Sequence, residues 1–255
     1  MILFKRIGEY FKLLLRLNIL KTIYLNFRVF PWSTAIKIPI YIFGPVKFPN
    51  LSGQVSIEGL IRRGMIQFGC DDENIIATHE PTRIYVSGKL VFRGSCKFAK
   101  ATQILVWDKG VLEIGDSSWL GSFTKVVVFG SVSIGKNFMS SWECQIFDTD
   151  FHFIINKSNK TVADNIKPVT IGERVWLGSR VSVLKGTALP DETIVAASSL
   201  CNANYSERYS NSIILGGVPA KLLTENVVYV SDKGFEKHLF SYFQNQPSNE
   251  GYFQL

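Results

Sequence analysis

The stretch that decides the fold runs from Ile171 to Ser199: IGERVWLGSRVSVLKGTALPDETIVAASS. Every sixth residue is aliphatic: Ile171, Leu177, Val183, Leu189 and Val195. Four residues after each stands a small or β-branched residue: Val175, Val181, Thr187, Thr193 and Ser199. Gly172 and Gly178 directly follow two of the aliphatics. A strand repeats its faces every two residues and an α-helix every 3.6, and neither sustains sixes. A short strand that turns a corner does. Three such strands close one triangular coil, with each aliphatic in the shaft and stacked on its equivalent one coil away. A bulky residue beside the corner would clash with the turn, and glycine is expected there to relieve backbone strain. Stacked coils satisfy one another's backbone groups, so only the two ends need caps.

The rhythm extends upstream. Ile114, Leu120 and Val126 form one run of sixes, with Gly115 and Gly121 behind the first two. After a slip of two residues, Val128, Ile134, Ser140 and Ile146 form another, with Gly135 behind Ile134. Ile84, Leu90, Cys96 and Thr102 are fainter echoes.

These repeats, closed by NSIILGGVPAKLL at 211–223, resemble the hexapeptide-repeat family of left-handed β-helix acyltransferases. The likeness spans residues 84–223, and in this family a G-x-P-A-K turn ends the solenoid. The resemblance implies an all-β, left-handed parallel β-helix. The handedness rests on that likeness alone, since right-handed crossovers are the general rule. We divide the chain into an N-terminal helical arm and connector (1–50), the β-helix domain (51–223) and a C-terminal extension (224–255), with the arm and the extension as candidate caps.

Composition narrows the partners. The chain has 255 residues and a net charge of +7, which favours anionic partners. It carries no familiar nucleic-acid motif, so a membrane surface or a phosphorylated ligand is the better match. Cys70, Cys96, Cys144 and Cys201 are widely spaced, which argues for buried thiols rather than disulfides or a zinc cluster. With histidines only at 79, 152 and 238, the metal-dependent solenoid enzymes are a poor match. His79 and His238 read as loop or surface residues, and DDEN at 71–74 as a turn. The 19 phenylalanines point to aromatic packing or stacking.

No segment reaches the roughly 18 apolar residues of a membrane span. The N-terminal stretch is interrupted by charges and is unlike a secretory signal. Residues 3–28 read as a helix whose apolar face is Ile7, Phe11, Leu14, Leu15, Ile19 and Ile23. That helix either packs on the domain or a second subunit, or lies on a membrane as a basic amphipathic anchor. Prolines at 31, 39, 45 and 49 mark a connector, and Val227–Val230 is a possible strand.

FDTDFHFI at 147–154 breaks the repeat. His152 follows Ile134 by one coil of 18 residues, so it stands at a shaft position or at the adjacent corner. The polar stretch after it reads as a loop leaving the solenoid, with the next coil starting near Val169. A histidine beside such a loop suits a ligand cleft. In the resemblance, D-x-D-x-H carries the general base, which makes His152 the catalytic candidate. Asp148, Asp150 and His152 alternate and share a face on an extended segment. Asp150 is the candidate to orient the imidazole, and Asp148 either contacts the acceptor or is a turn residue.

The remaining site candidates come from the family likeness. Trp176 would donate its indole N–H to the oxyanion or departing thiolate, or form a wall against the pantetheine arm. Gly178, Ser179, Ala196 and Ala197 would line the coenzyme A groove, with Lys185 and Lys221 at its phosphates. Lys185 as a merely solvated lysine is the competing reading. The implied reaction is acetyl transfer from acetyl-CoA to a hydroxyl of a sugar or surface-polysaccharide precursor. The implied assembly is a homotrimer, cytoplasmic or at the inner face of the membrane. Transfer to an amino sugar, and a scaffold without catalysis, are the alternatives.

Overall fold

The computed structural model of the chain describes residues 16–70, 76–245 and 253. It is an all-β, left-handed parallel β-helix with one parallel sheet on each face of the triangular coil. The first face stacks Ile40–Ile42, Ile66–Cys70, Cys96–Ala99, Ser118–Leu120, Met139–Ser140, Trp176–Leu177, Ile194–Val195 and Ile213–Gly216. The second stacks Val46–Leu51, Thr82–Val86, Gln103–Val106, Lys125–Val128, Gln145–Phe147, Ser182–Val183 and Leu200–Cys201. The third stacks Gln54–Ile57, Lys89–Arg93, Val111–Gly115, Ser131–Ile134, Val169–Ile171 and Ala188–Leu189.

The residues of the six-residue rhythm are the shaft. Phe92, Ile114, Ile134, Ile171 and Leu189 form the third-face column; Phe98, Leu120, Ser140, Leu177, Val195 and Leu215 form the first; Ile104, Val126, Ile146, Val183 and Cys201 form the second. All of them are buried. Ser140 is the polar member, and its hydroxyl accepts from the Gly121 N–H at 3.1 Å. The slip at Val126–Val128 has a plain cause: both residues of that longer strand point inward and are fully buried. Upstream coils are longer than 18 residues, because second-face partners run Ile84, Ile104, Val126, Ile146. Aromatic rings fill the wider shaft there, with Phe68 stacked on Phe98 at 4.3 Å and Phe92 edge-on to both.

The corner glycines have a different reason from the one expected. Positive φ falls two residues later, on Asn137 (56°), Arg174 (53°) and Arg180 (62°). Gly115, Gly135 and Gly178 are needed because the next coil passes too close for a side chain. A Cβ on Gly115 would stand 2.4 Å from the Gly135 carbonyl carbon, and one on Gly178 2.7 Å from the Ala197 nitrogen.

The solenoid starts at Ile40, before residue 51, because Gly44 and Pro45 make a first corner that reads in sequence as a connector. Residues 3–15 of the expected helix, and DDEN at 71–74, lie outside the described residues. Within them the helix is not continuous to 28. Leu17 bridges Phe43, and Asn18 caps a new helix, α1 (Ile19–Val29), by accepting from the Lys21 N–H. A short helix, α2 (Trp32–Ala35), follows.

The face of α1 is also reversed. Ile19 and Ile23 are exposed, while Thr22, Leu25 and Asn26 are buried. The edge strand Ile40–Ile42 explains this, since its free backbone groups need polar partners. Asn26 donates to the Ile40 carbonyl at 2.8 Å and accepts from its N–H at 3.1 Å, and Thr22 accepts from the Ile42 N–H at 3.0 Å. Thus α1 caps the first coil with amide and hydroxyl chemistry rather than with its aliphatic stripe.

At the other end, Lys221–Glu225 folds back antiparallel on Ile213–Gly216. This, not Val227–Val230, is the terminal strand. The turn between is Gly217-Val218-Pro219-Ala220, with a cis bond before Pro219. Tyr205 is buried beneath it and donates to the Ala220 carbonyl at 3.1 Å. Residues 226–230 then run back along the first face, and helix α3 (Lys233–Asn245) follows.

Candidate active site

The chain leaves the solenoid at the corner between the second and third faces, after Gln145–Phe147, and rejoins it at Val169. The neck of this excursion is antiparallel. Thr149 bridges Ile166, the Asp150 N–H donates to the Asn165 carbonyl at 2.9 Å, and the Lys167 N–H donates to Asp148 at 3.0 Å. Farther out, Ile155–Asn156 pairs with Thr161–Val162.

His152 stands just beyond the neck and is exposed. It does not occupy the shaft position one coil after Ile134, which Ile171 fills. The chain has already turned outward at Asp148. The Asp148 side chain is fully buried, and its carboxylate accepts from the N–H groups of Phe129 at 2.9 Å and Gly130 at 2.7 Å. Its lone pairs therefore hold the preceding coil's corner rather than facing out of the loop.

Phe151 sets the backbone of the histidine. It has φ +62°, and the His152 N–H closes a three-residue turn onto the Asp150 carbonyl at 2.7 Å. A bulky residue in this region is strained and needs support from its surroundings. The support is aromatic: the Phe151 ring packs edge-on against Phe129 at 5.9 Å and Phe147 at 5.7 Å. Phe129 in turn ends a stack through Trp107 to Tyr85. The imidazole itself makes no side-chain hydrogen bond or ion pair among the described residues.

Asp150 is beside His152 through the backbone, but its carboxylate pairs with Lys185 at 2.7 Å. Lys185 also donates to the Asp164 carbonyl at 2.7 Å. One ammonium from the next coil thus ties the outgoing and returning limbs of the excursion together. Lys185 is only 18% exposed and is held by Asp150 and Asp164, so it is not a free surface lysine.

The other candidates gather elsewhere. Gly178–Ser179 and Ala196–Ala197 occupy successive coils at the corner between the first and second faces. The Ser198 N–H donates to the Ser179 carbonyl at 2.8 Å, and Ala196 to Leu215 at 2.8 Å. Lys221, exposed, follows on the next level of this edge, opposite Gly216. Glycine and alanine leave bare backbone along the edge. Trp176 is two residues before Gly178 on the first face. Its indole N–H donates to Ser141 Oγ at 3.3 Å, and the Tyr229 ring stands 6.0 Å away. The first face is the side of the triangle opposite the His152 corner, so one solenoid does not bring His152 and Trp176 together.

Three features had no signal in the sequence: the Lys185 clamp, the aromatic seat of Phe151 and the tail residue Tyr229 beside Trp176. A cleft of about 530 Å³ on the His152 corner, nearer the N-terminal end, is lined by residues including Ser52, Gly88, Asp108 and Lys109, and holds none of the sequence-predicted residues.

Comparison with known proteins gives several relatives named as O-acetyltransferases, and the solved structures it finds include an N-acyltransferase, AntD of Bacillus cereus. The "Putative lipopolysaccharide biosynthesis O-acetyl transferase WbbJ" of Escherichia coli (strain K12) is 27% identical over 153 residues, 56% of this chain and 75% of that protein. The polysialic acid O-acetyltransferase of Neisseria meningitidis is 42% identical over 57 residues, 22% of this chain and 26% of that protein. The crystal structure of the polysialic acid-specific acetyltransferase NeuO aligns with TM-score 0.49 at 17% identity, over 81% of this chain and 98% of that one. No protein-family model matches the chain.

Proposed function

We propose that this chain, as a member of the hexapeptide-repeat family of left-handed β-helix acyltransferases, moves an acetyl group from acetyl-CoA to a hydroxyl of a sugar or surface-polysaccharide precursor, with His152 as general base. The observation that carries the base is His152 standing exposed on a clamped excursion beside Asp150. A sugar hydroxyl is a poor nucleophile at neutral pH. The imidazole takes its proton as the oxygen bonds to the acetyl carbon. The carbon–sulfur bond then breaks, and the departing thiolate receives that proton. No covalent enzyme intermediate is needed.

Asp150 acts through position: its backbone carbonyl holds the His152 N–H, and its carboxylate is held by Lys185. Asp148 belongs to the fold under the excursion. The donor lies along the bare edge of Gly178, Ser179, Ala196 and Ala197, with Lys221 at its phosphates and Trp176 beside the thioester. Because Trp176 and His152 belong to opposite sides of one solenoid, the working unit is a homotrimer in which the donor edge of one chain meets the His152 loop of its neighbour. The protein works at the cytoplasmic side, in peripheral contact with the membrane where glycan precursors are assembled.

The test is thiol release from acetyl-CoA with a panel of glycans and amino sugars. Release that depends on a hydroxyl-bearing glycan, with mass gain on that glycan, is expected. Transfer only to amines, or no transfer to any acceptor by protein that binds acetyl-CoA, would overturn it.

A further inference from the structure

The end of the solenoid capped by α1 turns an apolar stripe outward. Ile19 (56% exposed), Leu20 (82%), Ile23, Tyr24 and Phe27 follow one another at helical spacing, and Trp32 and Ile36 continue the surface. Leu60 (77% exposed) stands on the first loop between coils, which is tied to this end by the Gly64 N–H donating to the Ile38 carbonyl at 3.0 Å. The surface is apolar because the polar side of α1 is spent on the edge strand.

Charge concentrates at the same end. Of the described residues, 16–63 hold seven Lys and Arg against one acidic residue, Glu58, while the rest hold eighteen against fifteen. Arg28, Lys37, Lys47, Arg62 and Arg63 are exposed there, and the acidic Glu58 is paired with Arg93. Exposed apolar side chains flanked by lysine and arginine match an anionic lipid interface, where the apolar groups enter the acyl boundary and the cations meet headgroups.

We propose that this end of the solenoid is a docking surface for an anionic phospholipid bilayer, which sets the solenoid upright on the membrane. The upright pose fixes a height. Five second-face strands from Val46–Leu51 to Gln145–Phe147 give four spacings of about 4.8 Å, so the His152 coil stands about 19 Å above the first coil, with α1 between that coil and the membrane. A membrane-anchored acceptor reaches that height only with several sugar units between lipid and acetylated position. The docking surface does not depend on the acetyl acceptor.

The test is co-sedimentation of the full chain with vesicles of phosphatidylcholine alone, or with added phosphatidylglycerol. Binding to the anionic vesicles, weakened by salt, is expected. Arg62→Gln with Arg63→Gln lowers partitioning about thirtyfold, from about 1 kcal/mol per basic side chain. Leu20→Ser with Leu60→Ser, at positions too exposed to carry the fold, also lowers it. Acetyl transfer to a soluble acceptor stays at the wild-type level in both variants, which separates this proposal from the assignment of the reaction. Equal binding to both vesicle types, no binding, wild-type binding by both variants, or dissociation of an oligomer by these substitutions would overturn it.

Discussion

Replacing Asp148 by alanine removes the acceptor for two backbone N–H groups, on Phe129 and Gly130, at a carboxylate with no exposed surface. Hydrogen bonds to a charged group contribute about 1.5–3 kcal/mol each, and unpaired buried donors add their desolvation cost. We expect a loss of about 3–5 kcal/mol, centred on the corner beneath the excursion. Asp148→Asn keeps one acceptor oxygen but turns an NH2 group toward a donor, so it loses roughly half as much. The assay is denaturant unfolding followed by circular dichroism, with amide exchange at Phe129 and Gly130 to locate the loss. Exchange at these two amides rises first. The alternative, in which Asp148 holds the acceptor, predicts a raised acceptor KM on an unweakened fold. Stability within about 0.5 kcal/mol of wild type, together with that raised KM, would refute the structural assignment.

The other expectations concern the clamp, the thiols and the coil spacing. Lys185→Met frees both limbs of the excursion and lowers kcat by about tenfold to a hundredfold, because small misplacements of a catalytic group are costly. The acetyl-CoA KM stays unchanged, whereas a phosphate contact would raise it. Burial pushes the Cys144 thiol up to about 11 and the Cys201 thiol up to about 12. Both therefore stay protonated and unreactive toward a disulfide reagent at pH 8 in the folded protein, and react after denaturation; rapid reaction in the native state would contradict this. Gly115→Ala puts a Cβ against the backbone of Gly135 and Lys136 and is expected to cost about 1–3 kcal/mol in thermal unfolding.

The shaft was legible because it is one physical requirement repeated: an aliphatic residue at each inward position, stacked on the next. Where the coils lengthen, a second inward residue such as Val128 shifts the rhythm, and the pattern fades although the fold continues. The start at Ile40 was hidden because proline and glycine mark a solenoid corner as readily as a connector. The face of α1 was misread because apolar periodicity names an apolar surface, not what covers it. Thr22 and Asn26, four residues apart, were the available sign that a polar partner lay beneath. At the site, the break in the repeat marked the excursion and its return at Val169. The Asp150–Lys185 pair joins residues from different coils, and Tyr229 reaches Trp176 from the tail; neither contact follows from local spacing.

The measurement closest to the central claim is the rate of acetyl transfer by His152→Ala against wild type, at saturating acetyl-CoA and acceptor. Removal of a general base is expected to lower kcat by about 10²–10⁴, with acetyl-CoA binding and the fold intact, because His152 is exposed and packs in no core. A wild-type rate in that variant would contradict the assignment of the base.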